Sequence, residues 1–152
     1  MTVEGMYHEK SIQIDATAEQ VYDTVSDLTR MGEWSPENCG GRWLDGGAGA
    51  VGDRFEGDNQ LGDRKWSVVA QVTRADRGSE FQFVTGEPTS PYVRWTYRMN
   101  GSSPTVLTEI WDVEQLPPTL ASADAERLAA RAQAVGEGMV ATLAAIRSTL
   151  ES

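Results

Sequence analysis

Residues Ala123–Leu150 read ADAERLAARAQAVGEGMVATLAAIRSTL, and within them Leu128, Ala132, Val135, Met139, Leu143, Ile146 and Leu150 recur every three or four positions. That spacing stacks the apolar residues along one side of an α-helix, which at helical rise extends roughly 40 Å. A helix of this length with one apolar stripe needs a broad apolar surface to cover it. The preceding residues supply one. Gly40–Leu44, Val51–Gln60, Arg64–Arg74, Glu80–Thr85, Tyr92–Met99 and Thr105–Val113 read as strands. Their separators carry turn chemistry: Gly46-Gly47-Ala48-Gly49, Leu61-Gly62-Asp63, Asp76-Arg77-Gly78, Gly86-Glu87-Pro88 and Asn100-Gly101-Ser102. Connections this short join antiparallel neighbours, so the sheet is mostly a meander.

Alternation along the strands assigns their faces. Phe55, Gly57 and Asn59 share a parity, as do Trp66, Val68, Ala70 and Val72, and Val93, Trp95, Tyr97 and Met99. The opposite parity carries Arg54, Glu56, Asp58, Arg94 and Arg98, which suit solvent. Gly57 in mid-strand permits the bend or bulge that strong sheet curvature requires. Upstream, a strand beginning near Met6 ends in Ser11–Asp15 (SIQID). Thr17 with Gln20 three residues on resembles a capping box, and Val21, Val25 and Leu28 share one face, so a short helix runs from Ala18 to about Leu28. A second short helical segment, Thr29–Trp34, ends at Ser35-Pro36. Residues 1–152 therefore read as one α+β domain: a curved antiparallel sheet of about seven strands around a long C-terminal helix, with two short helices after the first strand.

Several stretches resemble the START-like, or helix-grip, superfamily (SRPBCC; polyketide cyclase/dehydrase and lipid-transport type). Ile14-Asp15-Ala16-Thr17-Ala18-Glu19-Gln20-Val21-Tyr22 is similar to that family's opening, with Thr17 where proline is usual. Met31-Gly32-Glu33-Trp34-Ser35-Pro36-Glu37, Gly41-Arg42-Trp43-Leu44-Asp45, Val51–Gly57, Trp66 and Glu137-Gly138-Met139 resemble further stations, in order along essentially the whole chain. The resemblance implies a ligand cavity between helix and sheet. It does not imply one reaction.

Five tryptophans give that space flat walls suited to ring systems, or simply fill it. The residues expected to line it are Trp34, Phe55, Asn59, Trp66, Val68, Trp95, Tyr97, Thr108 and Met139. Met139 is the adaptable cover, and Gly136 and Gly138 make room above it or permit a slight bend. Polar groups available for chemistry are few. Tyr97, Arg64 and Asn59 are the candidates for proton transfer and for holding a carbonyl, while Glu33 qualifies only if desolvated. One His (His8) and one Cys (Cys39) build no metal site and no disulfide, and no cofactor is implied. The glycine run Gly46–Gly52 lacks the lysine of a phosphate loop.

A net charge of −10, with basic residues scattered, disfavours nucleic acid. No apolar run is long enough for stable membrane insertion, and Met1–Lys10 has no signal-peptide pattern. With the single cysteine this points to a cytoplasmic monomer or homodimer. The function expected is binding of a small hydrophobic or aromatic molecule, of polyketide, lipid or similar ring type. The alternatives are an aromatase/cyclase-like enzyme catalysing aldol cyclisation and dehydration, and a protein-interaction module of co-chaperone or toxin-like kind.

Overall fold

The computed structural model describes residues 2–152; Met1, the first residue of the stretch read for a leader, lies outside them. Strand β1 (Tyr7–Ile14) is followed by helix α1 (Ala18–Val25) and a 3₁₀ segment, Leu28–Glu33. Six strands follow: β2 (Asn38–Trp43), β3 (Arg54–Leu61), β4 (Arg64–Asp76), β5 (Glu80–Glu87), β6 (Ser90–Asn100) and β7 (Thr105–Val113). A 3₁₀ turn at Pro118–Leu120, which the sequence reading did not anticipate, leads into helix α2 (Ala125–Glu151). One seven-stranded antiparallel sheet results, in the order β1-β7-β6-β5-β4-β3-β2. Every step is a meander except β1, which returns to pair with β7.

Local chemistry fixes the boundaries. Thr17 accepts a hydrogen bond from the Gln20 backbone N–H at 3.1 Å, and the Gln20 side chain accepts from the Thr17 backbone N–H at 2.9 Å, closing the expected capping box. Asp124 caps α2 by accepting from the Arg127 N–H at 2.9 Å. In the β2–β3 connection, Asp53 Oδ2 accepts from the N–H groups of Ala48, Gly49 and Ala50 at 2.9, 3.1 and 2.9 Å. These donors hold the Asp53 carboxyl below its ordinary pKa and turn a glycine-rich run into a fixed loop.

The bulge falls one strand away from the expected place. Gly57 pairs regularly with Gly41 and Val68, while the register slips between Asn38 and Gly40 on β2. Gly57 and Gly41 are needed for closeness instead. The Phe55 ring lies over both, and a methyl on Gly41 would collide with that ring and with the Glu56 carbonyl.

The apolar stripe of α2 packs as expected, with Ala132, Val135, Met139, Leu143 and Ile146 buried. Along the chain α2 lies mainly against β1, and also meets β7 and α1. The core forms two clusters. Leu143 and Ile146 join Ile14, Val21, Trp34, Phe55, Phe81, Tyr97, Met99 and Leu107 in one. Val135 and Met139 join Met6, Trp111 and Val113 in the other. Half-buried Trp95 packs against both. Fully burying each large aliphatic side chain contributes roughly 1.5–3 kcal/mol.

Candidate functional site

Glu109 sits at the seam between the two clusters. On β7 the inward parity runs Leu107, Glu109, Trp111, so Glu109 follows a member of the first cluster and precedes a member of the second. Its neighbours in register are Tyr97 on β6 and Lys10 on β1. Glu109 is only 3% exposed. Oε2 accepts a hydrogen bond from the Tyr97 hydroxyl at 2.8 Å, while buried Oε1 has no hydrogen-bond partner. An ionised carboxyl is poorly stabilised here, and burial raises its pKa from 4.5 to about 7, against a smaller lowering by the Tyr97 hydrogen bond. The Tyr97 phenol is pushed well above its usual value, first by burial and then by the adjacent carboxyl. The pair is a buried proton donor and acceptor.

The row beside it is aromatic. His8, Trp111, Trp95 and Phe83 stand opposite one another across β1, β7, β6 and β5. The His8 ring stacks on Trp111 (centroids 5.6 Å apart, 21° between planes), and its Nε2 lies 2.7 Å from the Ala132 carbonyl of α2. Gly136 makes this approach possible, because a Cβ there would come within 2.9 Å of His8 Nε2. The room at Gly136 thus serves His8, and Gly138 faces Pro36, so neither glycine opens space over a ligand as expected. Pro36 belongs to the segment before β2 that Glu37 ties to α2, through two hydrogen bonds from Arg131 of 2.7 and 3.0 Å.

The residues expected to line one cavity are distributed differently. Trp34, Phe55 and Tyr97 lie in the first cluster, Met139 in the second, and Trp95 between them. Asn59 and Trp66 oppose each other at the β3–β4 end, with the Arg64 guanidinium 5.1 Å from the Trp66 ring and exposed. Val68 is half-buried farther along β4. Arg64 and Asn59 therefore do not gather with Tyr97. Thr108 faces the opposite side of the sheet, 2.8 Å from the Ser11 hydroxyl, because β7 turns Glu109 rather than Thr108 inward. Glu33 is exposed and paired with Arg30, which holds its carboxyl below the ordinary range, so it is not the desolvated acid considered above.

The open space also differs from expectation. The two best-formed depressions among the described residues are superficial. One of about 350 Å³ lies by Cys39, Asn59, Lys65 and Trp66, and one of about 450 Å³ by Asp23, Asp27, Trp43 and Ala48. Neither lies between α2 and the sheet, where side chains of both clusters pack. Among the described residues no group of His, Cys, Asp and Glu could hold a metal, and no helix is long and apolar enough to cross a membrane.

The curled sheet and its gripping helix now meet a family match: residues 8–151 fit the model described as polyketide cyclase / dehydrase and lipid transport. The chain belongs to this family. Among solved structures it is similar to a Polyketide_cyc-like protein of Corynebacterium glutamicum, at 33% identity and a TM-score of 0.68, over 95% of this chain and 91% of that one. A START superfamily protein of Mycobacterium smegmatis shares the fold at 17% identity and a TM-score of 0.69, over 96% and 97% of the two chains. The di-domain ARO/CYC BexL from the BE-7585A biosynthetic pathway shares it at 16% identity and a TM-score of 0.69. This chain covers 46% of BexL, while 95% of this chain is matched. No curated protein matches.

Sequence reading missed Glu109. The available signal was a carboxylate flanked at i±2 by Leu107 and Trp111, on the parity of β7 that carries no other charged residue.

Proposed function

We propose that this START-like domain binds a small hydrophobic or aromatic molecule between the sheet and α2, with Glu109 and Tyr97 taking its polar group. The observation that carries the reading is Glu109 Oε1, a buried carboxylate oxygen without a hydrogen-bond partner. Such an atom costs stability unless something completes it, and buried unsatisfied groups concentrate where function requires them. Membership of a lipid-transport and cyclase family and the fold shared with the ARO/CYC di-domain support the same assignment. Because neither depression opens between α2 and the sheet, binding there calls for side chains to move aside. Met139, with its flexible thioether, and half-buried Trp95, which belongs wholly to neither cluster, are the ones to do so.

A titration with 1-naphthylmethanol and its charged relatives, followed by tryptophan quenching, tests this. At least one should bind, weakened tenfold or more by Glu109→Leu and unaffected by Thr108→Val on the outer face. Binding by none, or equal loss in both variants, refutes the reading.

A second reading, cyclase-like catalysis, draws on the Tyr97–Glu109 hydrogen bond of 2.8 Å. A carboxylate here takes the proton α to one carbonyl, and a neighbouring acid protonates the carbonyl that is attacked. In this scheme Tyr97 and Glu109 act without Arg64 or Asn59, which lie elsewhere. Turnover of a poly-β-ketone mimic that survives Tyr97→Phe and Glu109→Gln unchanged removes it. The protein-interaction alternative has less support: exposed Tyr7, Val51, Leu61, Val69, Val106 and Val140 are spread over separate elements or opposite strand ends.

A further inference from the structure

Glu109 lacks a counter-charge as well as a hydrogen-bond partner. Among the described residues no Lys, Arg or His pairs with it, although eleven other ion pairs form elsewhere, from Arg30–Glu33 to Arg147–Glu151. Its neighbours in register are Tyr97 from β6 and Lys10 from β1, with His8 placed diagonally, and the buried face of α2, which lies mainly against β1, carries no charged residue. Lys10 is half-buried but makes no ion pair with it. His8 is engaged with Ala132 and Trp111. On the inward face the carboxyl is followed by the indole of Trp111, with Trp95 diagonally across. A buried anion beside aromatic faces, in a chain of net charge −10, is complementary to a cation with an apolar body.

We propose that the ligand is a hydrophobic amine, its ammonium donating to Glu109 Oε1 and its apolar body lying against Trp95 and Trp111. The proposal rests on the reading that the hollow binds a small molecule, and narrows it. A neutral carbonyl ligand would need Glu109 protonated and could gain only an ordinary hydrogen bond. An ammonium gains a charge-assisted one and removes the cause of the carboxyl's instability.

The two classes differ in the sign of their proton linkage. An ammonium requires the carboxylate, so its binding near neutral pH releases protons, whereas a carbonyl acceptor takes protons up. The test is isothermal titration of the full chain at pH 6.5, in two buffers of different ionisation heat. The probes are 1-naphthylmethylamine, 1-naphthylmethanol and 1-naphthoic acid. The amine should bind at least tenfold more tightly than the alcohol, with net proton release. Glu109→Gln, confirmed folded by circular dichroism, should abolish that preference, and Lys10→Met should keep it. Alcohol binding as tight as the amine, still dependent on Glu109, overturns the cation and leaves the binding reading standing. Tightest binding of the acid, lost in Lys10→Met, overturns it in favour of Lys10 as the polar anchor. Binding of none of the three overturns both.

Discussion

Replacing Glu109 by Gln should remove most of the pH dependence of stability between mildly acidic and mildly alkaline solution. In the folded state burial raises the carboxyl pKa from 4.5 to about 7, so the folded protein holds this proton more tightly than the unfolded chain does. The resulting stabilisation is full below the unfolded value and disappears as pH rises through the folded one. At 1.36 kcal/mol per unit, this single group should make the protein about 2–3 kcal/mol more stable at pH 5 than at pH 8. Asp23, Asp53 and Asp58 have lowered pKa values and act in the opposite sense, but only as pH falls towards and below their ordinary range. They are common to both proteins and cancel in the difference. Urea unfolding at pH 5, 6, 7 and 8 gives that difference directly. Gln keeps an acceptor for the Tyr97 hydroxyl and cannot ionise, so its curve should be nearly flat where the parent's falls. Tyr97→Phe removes the hydrogen bond that favours the carboxylate, so its fall should move to higher pH. Parallel curves for the parent and Glu109→Gln would show that the carboxyl is not held in an apolar environment, and the site would go with it.

Three further substitutions probe the frame. Gly41→Ala places a methyl against the Phe55 ring and the Glu56 carbonyl; the clash should lower stability by about 1–3 kcal/mol in chemical denaturation. Leu143→Ala removes a core side chain, 2% exposed, from the buried face of α2 and should cost about 2–5 kcal/mol by the same assay. Arg131→Ala breaks the paired hydrogen bonds to Glu37 at a half-buried position and should cost about 1–2 kcal/mol, with faster amide exchange around Ser35–Asn38 as the local readout.

The architecture was legible because its signals are periodic and repeated. The stripe from Ala132 to Ile146 is buried as its spacing demands, and the strand separators place the β-strands to within a few residues. Boundaries slipped where hydrogen bonding overrode alternation. The pattern extends the strand back to Val51, but Asp53 Oδ2 draws the preceding N–H groups into a loop and β3 starts at Arg54. Helix α1 stops at Val25, because the Asp27 side chain accepts from the Thr29 N–H and starts a 3₁₀ turn instead of another α-helical one.

The site was harder to read, and β7 shows why. In Thr105–Val113 both parities are apolar enough to be inward: Leu107, Glu109 and Trp111 on one, Thr108 and Ile110 on the other. Alternation works when one face is wet, but here Thr108 and Ile110 are buried on the outer face and erase the contrast. Thr108 then looks the safer inward residue, because a buried carboxylate costs more than a buried hydroxyl. Register decides what composition cannot. Tyr97, inward by the clear pattern of β6, pairs with Glu109 and not with Thr108, so the carboxylate must share its face. An ionisable residue placed inward by pairing, against its own solvation preference, is where local and global requirements conflict. In a chain whose other choices agree, such a conflict points to function.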